Sequence, residues 1–323
     1  MYRAVRIHDY GGPEVLTLDM LPDPVPGRGE ILLRQEAIGV NFIDIYFRKG
    51  IYKLPSLPAV PGMEGAGVVE AVGADVTGLA LGDRVAYPSA LGSYAELRTI
   101  AADRVVTLPP DIGFDTAAAA MLRGLTVHML LQEVYQATAG ETILVHAAAG
   151  GVGLLMCQWA RHLGLRVIGV VSSEDKGELA RQNGAAEILV GHDNLAARVR
   201  KLTDGAMVPV VYDSVGKETF VASLDCLAPR GLMVSYGNAS GEVTGISAGM
   251  LATRGSLYLT RPTLATYIAQ RPALLKGAAA LFDMIGQGAL AVRIGQRFAL
   301  AEAAAAQQAL EARATTGSTI LVP

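Results

Sequence analysis

The sequence predicts an α/β protein with two domains, a β-rich domain followed by a domain with a doubly wound parallel sheet. Two patterns in the chain predict this. Up to about Asp115, short segments rich in apolar and β-branched residues are separated by prolines and glycines, which is typical of a β domain. From about Ala117, apolar strands alternate with helical stretches of about 10 to 15 residues, as in βαβ units. The chain has 323 residues, 51% of them hydrophobic, so both domains can bury a core.

The first domain is predicted to contain short strands bounded by turn residues, such as the prolines and glycines of 22–27 and 58–62. These strands are expected at 14–21, 30–40, 65–72, 84–87 and 94–100.

The second domain is predicted to contain parallel strands at 142–146, 166–171, 187–190, 208–213, 232–236 and 256–260. One of the helices between them is expected over 176–183, because Gly184 can adopt the left-handed conformation that ends a helix. After Pro262 we expect a long helical segment to about residue 285, then a strand at 292–298 and a helix at 301–314. The predicted division places 1–122 and 265–323 in the β-rich substrate domain and 123–264 in the nucleotide-binding domain.

Composition favours a small-molecule partner in a reducing compartment. The formal net charge of −3 provides no basic field that would attract nucleic acid or anionic lipid. Cys157 and Cys226 cannot form a disulfide framework, and we expect both to be buried. Charges interrupt the first residues, so no signal peptide is expected, and Ala-rich stretches such as 116–122 are too short to span a membrane. A cytoplasmic location follows.

A glycine-rich turn from Ala147 to Gly153 indicates a dinucleotide site. It follows the buried strand 142–146 and precedes a segment with helical periodicity, which is the order that such a site requires. Gly150 and Gly151 let the backbone approach a pyrophosphate, Gly153 lets helix and strand pack closely, and the helix start offers N–H groups to the anion. Alanine stands where the first glycine is usual. The predicted cofactor-binding residues here are Ala149, Gly150, Gly151, Val152 and Gly153.

The end of the following strand favours NADPH over NADH. An acidic residue usually stands there to bind the ribose hydroxyls of NAD, but this chain has Ser172-Ser173. Without that carboxylate a 2′-phosphate is not repelled, and Lys176 can supply the opposite charge. Two alternatives stay open: Glu174 or Asp175 could point at the ribose, which would weaken the preference, and Lys176 could be an ordinary solvated residue.

Two segments resemble the signature of the medium-chain dehydrogenase/reductase superfamily, namely 61–69 (PGMEGAGVV) and 82–85 (GDRV). Its zinc-dependent members carry a histidine where this chain has Met63 and a cysteine ligand where it has Asn41. A thioether and a neutral amide do not replace those ligands. The four-cysteine lobe that holds a structural zinc has no counterpart, and the histidines show no ligand spacing. The resemblance therefore implies an enzyme without a metal.

The rest of the chain resembles the zinc-free quinone oxidoreductase branch of that superfamily, which is related to zeta-crystallin. The similarity extends over the whole chain and includes 11–16 (GGPEVL), 41–44 (NFID), 124–127 (GLTV), 146–153 (HAAAGGVG), 212–216 (YDSVG), 236–238 (YGN) and 313–317 (RATTG). The resemblance implies a Rossmann-type NADPH domain, a GroES-like β-rich substrate domain and a homodimer formed by edge pairing of the nucleotide-binding sheets through 256–260.

The resemblance also implies roles for particular residues. Gly151 and Val152 would contact the pyrophosphate, while Ser172, Lys176 and Arg313 would surround the 2′-phosphate. The nicotinamide and quinone pocket would be lined by Asn41, Tyr46, Tyr52 and Thr126, and the residues beneath the nicotinamide ring and ribose would be Tyr236, Gly237 and Asn238. One departure concerns His192, which stands where relatives have a tyrosine near the adenosine phosphate. If His192 substitutes for it, NADPH binding becomes pH-sensitive in the titration range of histidine.

The predicted function is metal-free hydride transfer from NADPH to a quinone in the cleft between the domains. A quinone is already electrophilic, so it needs no Lewis acid. Tyr46 and Tyr52 either donate hydrogen bonds or protons to the substrate or only shape the pocket. One alternative is an NADPH-dependent enone or alkene (enoyl) reductase. Another is a non-enzymatic NADPH-binding or RNA-binding protein, although the acidic balance disfavours RNA.

Overall fold

The computed structural model describes residues 1–323, and the chain forms two units that each have their own sheet. The strands are β1 (Tyr2–Ile7), β2 (Leu16–Leu21), β3 (Glu30–Val40), β4 (Glu64–Val72), β5 (Arg84–Tyr87), β6 (Leu97–Ala101), β7 (Val106–Thr107), β8 (Thr142–His146), β9 (Arg166–Val171), β10 (Glu187–Val190), β11 (Val208–Asp213), β12 (Leu227–Ser235), β13 (Tyr258–Thr260), β14 (Ile294–Ala299) and β15 (Ser318–Val322).

The α-helices are α1 (Phe42–Arg48), α2 (Phe114–His128), α3 (Gly151–His162), α4 (Glu174–Gln182), α5 (Leu195–Leu202), α6 (Phe220–Leu224), α7 (Ala248–Thr253), α8 (Leu264–Tyr267), α9 (Arg271–Gly286) and α10 (Ala303–Glu311). A π-helical turn, Met129–Val134, continues α2. None of the helices is both long enough and apolar enough to cross a membrane.

The first unit comprises Met1–Leu125, Ile268–Gly286 and Val292–Pro323. Its main sheet has the order β14-β15-β3-β4-β5-β7, and β6 pairs with β3. All pairs in this sheet are antiparallel except β14 with β15. Beside it, β1 and β2 form a two-stranded antiparallel sheet. The unit is therefore β-rich, as the sequence predicts.

The second unit comprises Thr126–Tyr267 and Gln287–Ala291. Its sheet is entirely parallel, with the order β10-β9-β8-β11-β12-β13. This is the order of a Rossmann-type doubly wound sheet, in which the strand sequence reverses between β8 and β11. Ligands of such sheets bind at the carboxyl ends of the strands beside that reversal. The fold therefore directs attention to the residues that follow His146 and Asp213.

The two boundaries between the units lie at 125 and 267, each three residues after the predicted positions 122 and 264. The short segment Gln287–Ala291 also belongs to the second unit. The side chain of Gln158 explains this assignment. Its Oε1 accepts a hydrogen bond from the backbone N–H of Ala291 at 2.6 Å, and its Nε2 donates to the carbonyl of Ala291 at 3.1 Å. Since Gln158 is buried, this pair of bonds attaches the segment to α3.

Burial of apolar strand residues stabilises the second unit. Leu144, Ile168, Val211 and Met233 each have no exposed surface and belong to one apolar cluster that includes residues of α5 and α6. Each such side chain contributes roughly 1.5 to 3 kcal/mol when it is removed from water. The parallel strands are accordingly apolar along almost their whole length, and their polar residues are concentrated where the strands end.

Some predicted elements differ from the observed ones. The predicted strand 94–100 begins only at Leu97, because the residues before it bond to β1 instead, through an isolated bridge between Ala4 and Ala95. The predicted helix up to residue 285 is divided into α8 and α9. Pro272 lies in the first turn of α9, a position that proline tolerates because its missing N–H is not needed there.

Candidate active site

The glycine-rich turn lies at the carboxyl end of β8, next to the reversal of strand order. Gly150 caps α3 in an extended conformation, and the first helical hydrogen bond runs from the N–H of Leu154 to the carbonyl of Gly150 at 2.8 Å. The helix therefore does not use the N–H groups of Gly151, Val152 and Gly153. Together with the positive end of the helix dipole, these groups form a binding position for a phosphate.

Close packing in this turn explains its small residues. A Cβ on Gly153 would overlap the carbonyl oxygen of Ala147 and lie 2.7 Å from the Cα of Ala148. A Cβ on Gly150 would lie 3.2 Å from the same carbonyl oxygen. Ala149 is buried. Ala147 has a φ of +51°, in the left-handed region that favours glycine, so the alanine at this position carries a backbone strain of about 1 kcal/mol.

Ser172 and Lys176 flank the start of α4, where an acidic residue would bind the ribose of NAD. Ser173 caps the helix, since its hydroxyl accepts a hydrogen bond from the backbone N–H of Lys176 at 3.4 Å. Ser172 is exposed and Lys176 is half-buried. Glu174 and Asp175 are exposed in the first helical turn, where their charge stabilises the helix dipole. A serine and a lysine thus lie where the sequence predicts recognition of a 2′-phosphate.

The other residues predicted near the adenosine phosphate are divided between the units. His192 is exposed in the loop between β10 and α5 of the second unit. Arg313 is exposed after α10 in the first unit and has a φ of +56°. Their contact with a 2′-phosphate stays a prediction.

The loop after β12 carries the predicted residues Tyr236, Gly237 and Asn238. The N–H of Tyr236 donates to the carbonyl of Asp213 at 2.8 Å. A Cβ on Gly237 would overlap the carbonyl oxygen of Ser214, so only glycine permits this approach. Burial raises the pKa of Tyr236, and a hydrogen bond with Ser214 opposes that effect. The loop is thus held against the end of β11.

A buried polar cluster lies beneath these loops. Asp213 has no exposed surface, and its Oδ2 accepts hydrogen bonds from the hydroxyls of Thr219 at 2.7 Å and Ser223 at 2.8 Å. The Ser223 hydroxyl also lies 2.9 Å from Nε2 of His146. Sequence reasoning assigned no role to these side chains. The available signal was a polar residue at the end of each of two otherwise apolar strands.

In the first unit, Asn41 caps the start of α1. The backbone N–H of Asn41 donates to Oδ2 of Asp44 at 2.8 Å, and its side-chain Nδ2 donates to Oε2 of Glu64 at 2.8 Å. Glu64 is fully buried and also accepts from the N–H of Leu122 at 2.6 Å. Its carboxylate lies 3.7 Å from Nη1 of Arg123. Burial raises the pKa of Glu64, while the Arg123 charge acts in the opposite direction.

Asp44 and Glu64 are site residues that the sequence analysis did not single out. Asp44 is fully buried, and burial is the main reason that its pKa is raised to about 7, against hydrogen bonds from Asn41 and Tyr94. The signal for both was an acidic residue within an apolar run, in 41–45 and in β4. Such a residue needs buried partners.

Tyr46 and Tyr52 lie together in the first unit. Their ring centroids are 5.4 Å apart in an edge-to-face arrangement, and the N–H of Tyr52 donates to the carbonyl of Tyr46 at 3.2 Å. Tyr46 is buried on α1, five residues after Asn41, and Tyr52 is half-buried. Thr126 is the first residue of the second unit. The structure thus brings two of the four predicted pocket residues, Tyr46 and Tyr52, into contact and places a third, Asn41, at the start of the helix that carries Tyr46.

No group of three or more His, Cys, Asp or Glu side chains is arranged to hold a metal ion. Met63, at the position of a zinc-binding histidine, is buried. Asn41 uses its amide N–H on Glu64, which leaves only the carbonyl oxygen of that amide as a donor atom. His146 is a core residue bonded to Ser223. The donors present do not fit a zinc ion, and its absence from the protein stays a prediction that metal analysis can test.

The chain matches two family models over parts of its length and several known proteins over its full length. The models are described as "Alcohol dehydrogenase GroES-like domain", over residues 27–110, and "Zinc-binding dehydrogenase", over residues 151–283. A quinone oxidoreductase of Pseudomonas aeruginosa is 54% identical, with 100% of both chains covered. The 2-haloacrylate reductase of a Burkholderia species is 42% identical and covers 100% of this chain and 99% of its own.

A solved structure of the Escherichia coli quinone oxidoreductase complexed with NADPH superimposes with a TM-score of 0.97. It is 45% identical, and the match covers 99% of this chain and 100% of that one. Sequence and fold therefore agree along the whole chain. The protein belongs to the quinone oxidoreductase family of the medium-chain dehydrogenase/reductase superfamily.

Proposed function

We propose that this protein is an NADPH-dependent quinone reductase that works without a metal ion. The observation that carries the proposal is the turn Ala147–Gly153, which presents unused N–H groups at the reversal of strand order and is followed by a strand end without an acid. The family relationship supports NADPH and quinone as the reactants, because the relative from E. coli was solved with NADPH and the relatives carry the name quinone oxidoreductase.

The N–H groups of Gly151 and Val152 bind the pyrophosphate, as the close packing of Gly153 permits. Ser172, Lys176 and Arg313 recognise the 2′-phosphate, to which lysine and arginine supply charge and serine a hydrogen bond. His192 lies on the same side of the sheet, at the end of β10. There a ring N–H of His192 donates to the phosphate.

The loop Tyr236–Asn238 supports the nicotinamide end of the cofactor. The chemistry that NADPH supplies when bound is a hydride at the nicotinamide ring. The chain orients the acceptor through Asn41, Tyr46, Tyr52 and Thr126. Glu64 accepts one amide N–H of Asn41 and so fixes the orientation of that amide. The tyrosine hydroxyls hydrogen-bond the quinone oxygens, which become phenolic when the ring is reduced.

NADPH oxidation in the presence of 1,4-benzoquinone and 1,4-naphthoquinone tests the proposal. We expect NADPH oxidation to saturate with both quinones and to be much faster than NADH oxidation under the same conditions. A chelator should leave the rate unchanged. If the protein binds NADPH tightly but does not oxidise it in the presence of any acceptor tested, it is a non-enzymatic NADPH-binding protein, and the proposal is wrong.

A second candidate is the reduction of an activated carbon–carbon double bond. The 42% identity to a 2-haloacrylate reductase supports it, since an alkene conjugated to a carboxylate also accepts hydride without a metal. The assay is repeated with 2-chloroacrylate and an enone. Turnover of these substrates with a higher kcat/KM than that for the quinones would make alkene reduction the principal activity.

We also propose a homodimer formed through β13, which is an edge strand of the second unit's sheet. Tyr258 on this strand is 56% exposed, and an uncovered edge offers backbone groups to a second copy. Light scattering should give twice the mass of 33.7 kDa, and a monomer would contradict the proposal.

We propose a cytoplasmic location as well. The buried thiols of Cys157 and Cys226 support it, and cell fractionation tests it.

A further inference from the structure

We infer that Asp213 is a positioning residue for the cofactor, because it holds the loop Tyr236–Asn238 and links it, through Ser223 and His146, to the glycine-rich turn. This inference rests on the proposed binding of NADPH. None of the three side chains is placed to touch the cofactor itself, since all are buried: Asp213 and Ser223 have no exposed surface, and His146 has 1%.

Each carboxylate oxygen of Asp213 accepts two hydrogen bonds. Oδ1 accepts hydrogen bonds from the backbone N–H groups of Val215 at 2.8 Å and Gly216 at 3.1 Å. Oδ2 accepts from the hydroxyls of Thr219 at 2.7 Å and Ser223 at 2.8 Å. Four donors around one buried acid are the arrangement that a charged carboxylate requires. Its position therefore determines the shape of the turn 213–216, in which Gly216 has a φ of +94°.

The turn 213–216 in turn holds the cofactor loop. The N–H of Ala239 donates to the carbonyl of Ser214 at 3.2 Å, and the N–H of Ser240 donates to the carbonyl of Val215 at 2.8 Å. The hydroxyl of Ser240 donates to the same carbonyl at 2.8 Å. With the bond from Tyr236 to Asp213, these contacts bracket Gly237 and Asn238 on both sides. A displacement of 213–216 would therefore move the loop.

Ser223 connects this arrangement to the strand that precedes the glycine-rich turn. The serine has one proton, which it donates to Asp213, so the 2.9 Å contact with His146 is satisfied when Nε2 of the imidazole carries a proton and donates. Burial lowers the pKa of His146, against the effect of Asp213. In the sheet, Val145 lies opposite Tyr212, so His146 and Asp213 end neighbouring strands. The link joins the two walls of the proposed site.

The same three residue types form the triad of many hydrolases, but this arrangement cannot act in that way. Here the serine lies between the histidine and the acid, whereas a nucleophilic serine requires the histidine in the middle. The absence of exposed surface on Ser223 also keeps it from any substrate. A buried polar network of this kind contributes more to a single local geometry than to net stability.

Ser223→Ala tests the link while leaving three of the four bonds of Asp213 in place. Binding is measured for NADPH and for adenosine 2′,5′-bisphosphate, a fragment that lacks the nicotinamide half. We expect the Kd for NADPH to rise about tenfold, the effect of losing one charge-assisted bond, with little change for the fragment. Energy transfer from Trp159, the one tryptophan, reports NADPH binding, and calorimetry reports the fragment.

Thr203→Val is the matched control. The Thr203 hydroxyl donates to the carbonyl of Val199 at 2.9 Å and accepts from the N–H of Met207 at 3.0 Å, in the same unit but before β11. Its loss should lower the melting temperature and leave both Kd values unchanged. If Ser223→Ala does not fold, Asp213→Asn replaces it, because the amide oxygen still accepts from Val215 and Gly216 while the amide nitrogen no longer accepts from Ser223.

Three results would overturn the inference: an unchanged Kd for NADPH in a folded variant, an equal loss of affinity for both ligands, or the same selective loss in Thr203→Val. Wild-type protein that fails to bind NADPH at all would refute the proposed function, and the inference with it. Wild-type binding that Ser223→Ala leaves unaltered would refute the inference alone.

Discussion

At the scale of single residues, the proposed preference for NADPH over NADH depends on Lys176. It lies in the first turn of α4, after the exposed Ser172 and the capping Ser173. Its side chain is half-buried. A cation in this position favours a 2′-phosphate over a ribose hydroxyl.

We predict that Lys176→Ala weakens NADPH binding by about 1 to 3 kcal/mol, the contribution of a charge-assisted hydrogen bond. Binding of NADH should hardly change, because it has no 2′-phosphate. Titration calorimetry with both cofactors measures this. Lys201→Ala, an exposed lysine on α5, is the control, and equal losses for NADPH and NADH would contradict the assignment.

Gly153 is a second position at which a single added atom, a Cβ, should affect both stability and cofactor binding. Since a Cβ there would overlap the carbonyl of Ala147, Gly153→Ala should separate α3 from the turn. We predict a loss of about 1 to 3 kcal/mol in the free energy of unfolding, as for other overpacked sites, together with weaker NADPH binding.

Urea unfolding and the Kd for NADPH check the Gly153 prediction. Gly113→Ala is the matched control, because a Cβ at Gly113 would meet no atom within 4 Å. Its unfolding free energy should stay within about 0.5 kcal/mol of the wild type. A Gly153→Ala variant as stable as Gly113→Ala would show that the turn can relax.

At the scale of elements, α1 shows that a helix-capping signal can be overlooked when the residues after it favour a strand. Its residues Phe42–Arg48 include aromatic and β-branched side chains, which favour strands, and the surrounding domain is β-rich. The predicted strands and helices left this segment unassigned. The signal for one was present, since an asparagine three residues before an aspartate forms a capping box.

The Asp44 carboxyl that caps α1 should make stability depend on pH. Its pKa is about 7 in the folded protein and 3.8 in the unfolded chain, so the protonated form favours folding. Its contribution is complete below pH 3.8, decreases as the pH rises, and is lost above pH 7. As the pH rises from 5 to 8, this group alone should lower the free energy of unfolding by about 2 to 3 kcal/mol.

Asp44→Asn should remove that dependence. The amide oxygen can still accept from the N–H of Asn41 and the hydroxyl of Tyr94, and the variant has no charge to bury. Urea unfolding at pH 5 and pH 8 is compared between variant and wild type, and the variant should gain relative stability at the higher pH. A difference between the two proteins that is equal at both pH values would contradict the prediction.

Elements at the ends of the chain were harder to predict than those in the middle. The strands β8 to β11 have their predicted bounds, because buried parallel strands are continuous apolar runs with turn residues on both sides. The strands β1 and β15 were missed. Their pairing partners are β2 for the former and β3 and β14 for the latter, and the partners of β15 are distant in sequence from one another.

At the scale of the whole molecule, the family relationship raises the question of metal content. One matching family model is described as a zinc-binding dehydrogenase, whereas Met63 and Asn41 stand at the positions of two zinc ligands in the zinc-dependent members. We predict no stoichiometric zinc in the purified protein, because an amide oxygen and a thioether bind zinc poorly. Inductively coupled plasma mass spectrometry measures this, and about one zinc per chain would contradict it.

The sequence alone was sufficient for the fold class and the family, and it is the basis for proposing NADPH as the cofactor. These follow from patterns confined to short stretches, such as the glycine-rich turn after β8 and the serines after β9. The comparisons with known proteins confirm the family. Short stretches are readable because backbone sterics and helix geometry act over a few neighbouring residues.

Only the tertiary structure decided which polar residues meet. Asp213 and Ser223 lie 10 residues apart, and Ser223 and His146 lie 77 apart, so no local pattern indicates their contact. The same holds for Asn41 and Glu64, which are 23 residues apart. The pKa of Asp44 likewise depends on burial by distant segments, since desolvation is a property of the folded surroundings rather than of the neighbouring sequence.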